Sequence, residues 1–206
     1  WEMKDLSADP LWGDLRNAPL WVGTDRFDEP NPELKTAAEL VQLDAAAYES
    51  LLVGLFTVGK GVYPAATGRP PRNELHLGYS RDGFHWFRPD RRPFISVGAD
   101  PNSWNWGDIR SVGGGFHVMG RRLNFPFTGK TQDPKSGRLI GAMGFGSIRR
   151  DGFASIDAGE SEGILVTKPI KFSYAGFVLL NMKTNAPDGE IRVAIVSTNG
   201  NQLEVT

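Results

Sequence analysis

The sequence contains no cysteine, and this absence removes three kinds of chemistry at once. Without thiols there can be no disulfide, no thiolate nucleophile and no zinc–sulfur site. The absence does not indicate a cellular compartment, because a chain of 206 residues with 40% apolar side chains can build a core that needs no cross-links.

Histidine, net charge and long apolar runs are also scarce. The three histidines, His76, His85 and His117, lack the spacing of a metal-binding pair. The 23 basic and 24 acidic side chains give a net charge of -1, which argues against a nucleic acid or an anionic membrane as partner. The longest apolar run, residues 51–58, is far shorter than the roughly 20 residues of a membrane helix.

Aromatic residues, glycine and proline are abundant, with 6 Trp, 12 Phe, 4 Tyr, 25 Gly and 14 Pro. This composition is typical of turn-rich β proteins. We expect a loop-rich segment over residues 1–32, a short helix or turn near residues 32–39 and a strand over residues 48–58. The text ELKTAAELVQLDAAAYES favours a helix by composition, and ELHLGYS alternates as a strand does, with His76 and Leu77 on opposite faces.

The four letters RDGF occur twice, at residues 81–84 and 150–153, each time directly after a strand-like stretch. Asp-Gly between alternating apolar runs is a strong hairpin signal. We therefore interpret both copies as turns at equivalent places in successive four-stranded units, and assign Asp82 and Asp151 to turn geometry.

From Gly163 onwards the sequence consists of short strand-like runs separated by turn residues: ILVTKPIKF, GFVLLNMKT and EIRVAIVST. That spacing is typical of an antiparallel sandwich. The sequence therefore predicts an all-β protein with two domains, β-propeller blades over residues 1–161 and the start of a β-sandwich over residues 162–206.

The stretches LGYSRDGFHWFRPDRRPFI, SWNWGDIRSVGGGFHVMGRRLNFPF and GSIRRDGFASIDAGESEGILVTKPIKF resemble bacterial glycosidase-like proteins of the invertase, levanase and arabinanase group. The resemblance covers about residues 40–206 and implies a five-bladed β-propeller followed by a β-sandwich. It also implies that the first blades, which carry the nucleophile or base in that group, lie outside this sequence or that the chain is a shortened relative. The sequence begins at Trp1 with no initiator Met and no leader, so we expect that any signal peptide has been removed or lies outside it. In keeping with the resemblance, we expect a secreted or periplasmic protein.

Glycoside hydrolysis needs two carboxyl groups across the scissile bond, about 5 Å apart for retention and about 6.5–9.5 Å apart for inversion. Glu49 is the predicted general acid, because a carboxylate beside so apolar a strand is expected to be buried with a raised pKa. Its alternative is an ion pair with an arginine such as Arg110. Asp108, at the head of a strand, is the predicted second acid, and its alternative is a turn cap. Asp44 is the third catalytic candidate.

Five residues are predicted to bind the substrate, Trp104, Trp106, Asp25, Arg91 and His76. Indole rings stack on sugar faces, whereas Asp25 and Arg91 suit hydroxyl or carboxylate groups. For each there is a structural alternative: blade packing for the tryptophans, an Asx turn for Asp25, a solvated loop for Arg91 and a satisfied sheet position for His76.

These features predict a glycoside hydrolase acting on an oligosaccharide or polysaccharide through paired Asp/Glu catalysis. The rival prediction is a non-catalytic carbohydrate-binding or assembly module of the same fold, or a structural fragment that pairs through an open sheet edge as a homo-oligomer. No cofactor and no protein metal site are predicted, although the resemblance allows a Ca²⁺ ion in the propeller channel.

Overall fold

The first of two structural units is built from two antiparallel sheets, as seen in a computed structural model. The structure describes residues 20–171, 179–184, 189–197, 199–200 and 202–203. The units are Trp1–Arg150 and Asp151–Thr206. The strands are β1 Glu39–Tyr48, β2 Leu51–Gly59, β3 Asn73–Ser80, β4 Gly107–Ser111, β5 His117–Met119, β6 Arg122–Gln132, β7 Leu139–Arg149, β8 Ile195–Val196 and β9 Gln202–Leu203. A 3-10 turn covers Ala65–Thr67.

Sheet A is a meander in the order β1-β2-β3. Its central strand β2 is buried from Val53 to its end, because both faces of the sheet are covered. This explains its continuous apolar sequence, which is typical of a strand with no solvent face. After β3 the chain returns along its outer edge, where Phe87 bridges to Tyr79 and Ile95 bridges to Leu75.

Sheet B is a second meander in which β4 and β5 lie end to end beside β6, and β7 pairs with the other edge of β6. The segment between β4 and β5 contains Gly113, Gly114 and Gly115, with φ angles of 99°, 75° and 69°. Three successive positive φ angles are readily adopted only by glycine, so this triplet allows one strand line to be interrupted and resumed.

The first strand of sheet B lies across sheet A. Near the start of β4, Asp108 accepts a hydrogen bond from Asn73 on β3, and at its end Ser111 donates one to Asp44 on β1. Around this crossing are side chains with no exposed surface, including Leu55, Leu75, Ile109 and Phe125.

The opposite face of sheet A is covered by two loop segments. Trp86 packs edge-on against Phe56, and Trp21 packs edge-on against Trp86. Gly54 makes this approach feasible, since a Cβ atom built there would lie 2.6 Å from the Trp86 ring. The indole of Trp86 therefore occupies space that only a glycine leaves open on β2.

The helix that the composition of residues 33–50 favours is absent, whereas the short helix or turn expected near residues 32–39 is present as a turn. Residues 32–34 form a turn, and the Ala-rich sequence of residues 39–48 forms β1. Nine residue pairs join β1 to β2, and Leu43 packs close to Gly54. Tertiary pairing with a buried strand thus overrides a helix propensity that amounts to only tenths of a kcal/mol per residue.

Both RDGF motifs follow the third strand line of an antiparallel meander. In the first, the Asp82 carboxylate accepts hydrogen bonds from the backbone of Phe84 and His85, and Ser80 accepts one from Gly83. The turn predicted at Asp82 is confirmed, although the returning segment pairs at Phe87 alone rather than as a strand. In the second, residues 151–153 form a turn with Asp151 at φ 59°.

Among its described residues, the second unit contains one short pair of strands, β8 with β9. Residues 164–171, predicted as a strand, have no regular structure, and the predicted strand GFVLLNMKT lies partly outside the described residues. The predicted boundary at residues 161–163 falls inside this unit. Within the described residues no helix is long and apolar enough to cross a bilayer.

Two glycine substitutions test the packing of sheet A. We expect Gly54→Ala to lower the free energy of unfolding by about 1–3 kcal/mol, because its Cβ would overlap Trp86 and approach Leu43 and Phe56 at 3.0 Å. The matched control is Gly141→Ala on β7, where the nearest atom would be 3.8 Å away. Urea denaturation of both variants measures the difference, and equal stabilities would contradict the packing.

Candidate functional site

Glu49, the predicted general acid, lies in a two-residue turn between β1 and β2. Its φ angle is 51°, a conformation that glycine or asparagine adopts more readily. The side chain is 62% exposed, and its carboxylate accepts a hydrogen bond from Arg150 at 2.8 Å. The prediction that Glu49 is buried was wrong, because its side chain extends into solvent beyond the end of the strand. The alternative, an ion pair with an arginine, is what the structure shows, with Arg150 instead of Arg110.

Glu49 and Asp108 lie at opposite ends of sheet A. Glu49 follows Tyr48, which pairs with the first residue of β2, Leu51. Asp108 is bonded to Asn73, which pairs with the last residue of β2, Gly59. Eight residues of extended strand separate these ends, which is roughly 26 Å. The predicted catalytic pairing of these two acids is therefore wrong, since hydrolysis requires carboxyl groups within about 10 Å.

Asp108 is buried, and three side chains surround its carboxylate. Lys130 lies 2.5 Å from Oδ2, whereas Arg110 and Asn73 each donate to Oδ1 at 2.6 Å. Burial alone would raise the pKa of Asp108, but the three donors hold it below its usual value. The carboxylate is therefore ionised at neutral pH and serves as a junction between β3, β4 and β6.

The backbone at Asp108 is strained. Its φ angle is 48°, and the pairing of β4 with β6 shifts register between Gly107 and Arg110. Bulges and positive φ angles at non-glycine residues are enriched at functional sites, because surrounding contacts must compensate their cost. The turn-capping alternative for Asp108 is not what the structure shows, because the bonds found for its carboxylate are all to side chains, in a buried bulge.

Asp44, the third catalytic candidate, is half-buried on β1 and accepts a hydrogen bond from the hydroxyl of Ser111. Gln42 on the same strand donates to the backbone carbonyl of Ser111 at 3.4 Å. Asp44 thereby holds the end of β4 against sheet A.

Asp25 and Arg91, both predicted to bind substrate, are paired with each other. The guanidinium of Arg91 donates to both carboxylate oxygens of Asp25, at 3.0 and 2.9 Å. Beside them Arg88 makes the same bidentate contact with the buried Asp28, at 2.9 and 2.5 Å. Although burial opposes it, the contact with Arg88 keeps the pKa of Asp28 below its usual value. Asp25 also accepts a hydrogen bond from the backbone of Phe27, which is the Asx turn of its alternative. Both predicted substrate-binding residues are therefore already bonded within the protein.

His76 is only 1% exposed, so the prediction that it binds substrate was wrong. It lies on the face of sheet A that is covered by the loop segments, and neither ring nitrogen has a hydrogen-bond partner within the described residues. Burial, together with the nearby charges of Arg88 and Lys60, lowers the pKa of His76 to about 4. The imidazole is therefore neutral and structural at physiological pH.

The two tryptophans beside Asp108 have different environments. Trp104 stacks on Phe127 with ring centroids 5.4 Å apart, and its ring lies where a Cβ on Gly144 would be. Trp106 instead lines a cleft. The structure therefore separates them: Trp104, which is 38% exposed, packs on Phe127 of sheet B, and Trp106 lines the cleft.

This cleft has a volume of about 370 Å³, within the range of small-ligand pockets. Its wall is formed by a loop, by the first residues of β3 and by residues 96–99. The lining residues are Tyr63, Arg69, Pro70, Arg72, Glu74, Ser96, Val97, Gly98, Ala99 and Trp106.

Glu74, which the sequence analysis missed, is the only acid among the described residues that line the cleft. Its side chain is 2% exposed, and the contact found for its carboxylate is with Arg72 at 3.4 Å, the long limit of a hydrogen bond. The sequence signal that could have identified Glu74 is its position as a charged residue directly before the alternating run LHLGYS. It was overlooked because the sequence does not reveal that this face of β3 is covered.

Two arginines give the cleft its donors. The guanidinium of Arg69 lies 3.7 Å from the Tyr63 ring centre and 5.7 Å from that of Trp106, and it pairs with Glu33 at 2.7 Å. Although burial opposes it, the nearby Glu74 carboxylate raises the pKa of Arg72 above its usual value. The Arg72 guanidinium therefore stays charged, and the two arginines present N–H donors beside an aromatic wall.

The described residues contain no group of three or more histidine, aspartate or glutamate side chains that could hold a metal ion. The calcium ion that the resemblance allows therefore finds no fitting ligand set among them, because Asp25, Asp28 and Asp108 are each bonded to cationic side chains.

Comparisons with protein-family models, with curated proteins and with solved structures found no match for this chain.

The burial of His76 predicts that the stability of the protein depends on pH. Its folded pKa of about 4 is below the unfolded value of about 6.5, so the stabilisation is complete above pH 6.5 and is lost as the pH falls towards 4. We expect His76 to account for a loss on the order of 2–3 kcal/mol between pH 6.5 and 4.5.

Urea denaturation of the wild type and of His76→Gln at several pH values measures this loss. Titration of carboxylates affects both proteins alike, so the variant should lose less stability over the same interval. Parallel curves for the two proteins would show that His76 is not the group responsible.

Proposed function

We propose that this chain binds carbohydrate in the cleft lined by Trp106, without cleaving it. The observation that carries the proposal is the combination of a half-buried indole with a buried, incompletely bonded carboxylate, Glu74, in one cleft of about 370 Å³. A sugar ring presents an apolar C–H face and a rim of hydroxyl groups, and these two surfaces need an aromatic wall and polar partners respectively.

Each polar group of the cleft has a complementary role. The Glu74 carboxylate can accept two hydroxyl hydrogen bonds without losing its distant contact with Arg72. Arg69 and Arg72 donate to hydroxyl or ring oxygens, and the cation–π contact of Arg69 with Tyr63 fixes the direction of its donors. Because Glu74 is buried, a neutral group that bonds it would relieve an unsatisfied acceptor, which favours binding.

The absence of a second acid from the lining of this cleft, as far as the chain is described, supports binding over hydrolysis. Both glycosidase mechanisms need two carboxyl groups that flank one bond. Glu49 lies beyond the far end of sheet A, and Asp108 is neutralised by Lys130 and Arg110. The arrangement therefore supports recognition of a sugar.

For the architecture we propose that the two meanders are blades of a β-propeller and that a β-sandwich follows, as the resemblance implies. The support for this is the position of both RDGF motifs after a third strand line. An oligosaccharide or polysaccharide partner also agrees with the expected secreted or periplasmic location.

The proposal predicts that Trp106→Ala weakens binding of neutral oligosaccharides at least tenfold, because a stacked aromatic contributes about 1 kcal/mol or more beyond the area it buries. Glu74→Gln is expected to weaken binding less, since the amide retains one acceptor. A panel of xylo-, arabino-, fructo- and cello-oligosaccharides, titrated by isothermal calorimetry, measures both effects.

Trp104→Ala is the control for this experiment. It removes an indole two residues away that packs on Phe127 outside the cleft, so it should lower the melting temperature and leave binding unchanged. The proposal is wrong if no oligosaccharide in the panel binds the wild type, or if Trp106→Ala binds as well as the wild type.

Hydrolysis is the second candidate, and the strained, buried bulge at Asp108 is the observation that favours it. Asp44 contacts Ser111, which follows Asp108 by three residues on β4. The carboxylates of Asp44 and Asp108 are therefore roughly 10 Å apart along the strand, near the upper limit for inversion. Reducing-sugar release that disappears in both Asp44→Asn and Asp108→Asn, with the fold retained by circular dichroism, would favour hydrolysis. No release by the wild type would exclude it.

A further inference from the structure

The basic side chains of sheet B all lie on one face. The register of β6 with β7 is unbroken from Arg122↔Arg149 to Gln132↔Leu139, so residues an even number apart share a face. Arg122 and Lys130 on β6 therefore lie on the same side as Arg149 on β7, and Arg110 joins them through its pairing with Thr128. We call this side of sheet B the basic face.

This face has an excess of positive charge, although the whole chain has a net charge of -1. Strands β4 to β7 contain four Lys or Arg residues and one acid, Asp108. Asp108 lies at one end of the face, where it already bonds Arg110 and Lys130. The positive charge at the other end of the basic face is therefore not balanced by an acidic side chain on strands β4 to β7.

At that other end two arginines are direct cross-strand partners, Arg122 and Arg149. Both are exposed, and Arg122 donates to the neutral hydroxyl of Ser147 at 2.8 Å. Within the described residues no carboxylate pairs with either guanidinium. Like charges opposite one another destabilise a sheet pair, and an anion that bridges both would relieve this repulsion with charge-assisted hydrogen bonds.

Between its two cationic ends the basic face has apolar side chains and uncharged polar side chains. Phe145 and Met143 on β7 are 68% and 61% exposed. Next to them lie the Ser147 hydroxyl and the amide of Asn124, which are cross-strand partners. An exposed aromatic ring beside hydroxyl and amide groups suits the two surfaces of a sugar ring.

We propose that the basic face binds an acidic polysaccharide, a chain of sugars that carry carboxylate or sulfate groups. Its anionic groups would bond Arg122 and Arg149 at one end and Arg110 and Lys130 at the other, with a sugar ring over Phe145. The face extends over eight residues of β7, which is roughly 26 Å and long enough for several sugar units. Four cations and one buried acid, Asp108, among otherwise uncharged groups, on a chain with no overall basic charge, favour a glycan over a nucleic acid.

This inference rests on the proposed preference for carbohydrate but uses a different site from the cleft of Trp106. The test uses the whole chain and two hexasaccharides of matched length, a uronate and a neutral glucan, together with a sulfated oligosaccharide. We expect the uronate or the sulfated sugar to bind with an affinity that falls as salt is added, because exposed charges are screened. Arg122→Gln with Arg149→Gln should weaken this binding about tenfold, as expected for two exposed ion pairs.

The matched control is Arg81→Gln with Arg92→Gln, which removes the same charge from exposed positions outside sheet B. It should leave acidic-glycan binding unchanged, as should Trp106→Ala. Equal losses in the two double variants would reduce the effect to net charge and overturn the inference, as would equal affinity for single-stranded nucleic acid. If the uronate binds through Arg122 and Arg149 while no neutral sugar binds the cleft, the basic face stands and the cleft proposal fails.

Discussion

The two sheets of the first unit are joined through acidic side chains that cross from one sheet to the other. Asp108 bonds β3 to β4 and β6, and Asp44 bonds β1 to the end of β4. Both ends of the crossing strand are therefore fixed by carboxylates. A strand that lies over a sheet face cannot use backbone hydrogen bonds to that sheet, so side chains must set its position. This is why two acids that look catalytic in the sequence have a structural use.

Charge pairing has the same role on the other side of sheet A. Asp28 with Arg88 and Asp25 with Arg91 attach the loops that cover His76 and Glu74. The bidentate pairs provide direction as well as attraction, because a guanidinium and a carboxylate fit in a single plane. The buried Glu74 and the cleft are consequences of this cover.

The sequence allowed the all-β class and the turn at Asp82 to be predicted, since each depends on local pattern. The partners of Glu49, Asp25 and Arg91 could not be predicted, because they are separated by 66 to 101 residues along the chain. A carboxylate beside an apolar run was assumed to be buried, but strand ends reach solvent even when the strand does not. Glu74 was missed for the converse reason, as only the folded loops show that its face is covered.

The ten residues of β1 have a further consequence, for the order of folding. Their Ala- and Leu-rich text favours a helix in the unfolded chain, whereas the native structure requires an extended strand. A local preference that opposes the final structure delays the step that resolves it. The β2–β3 hairpin, whose sequence agrees with its structure, is expected to form first and β1 to join it later. The kinetic φ value of Ala46→Gly is the ratio of its effect on the activation free energy of folding to its effect on stability. A ratio near zero would indicate that β1 forms after the transition state.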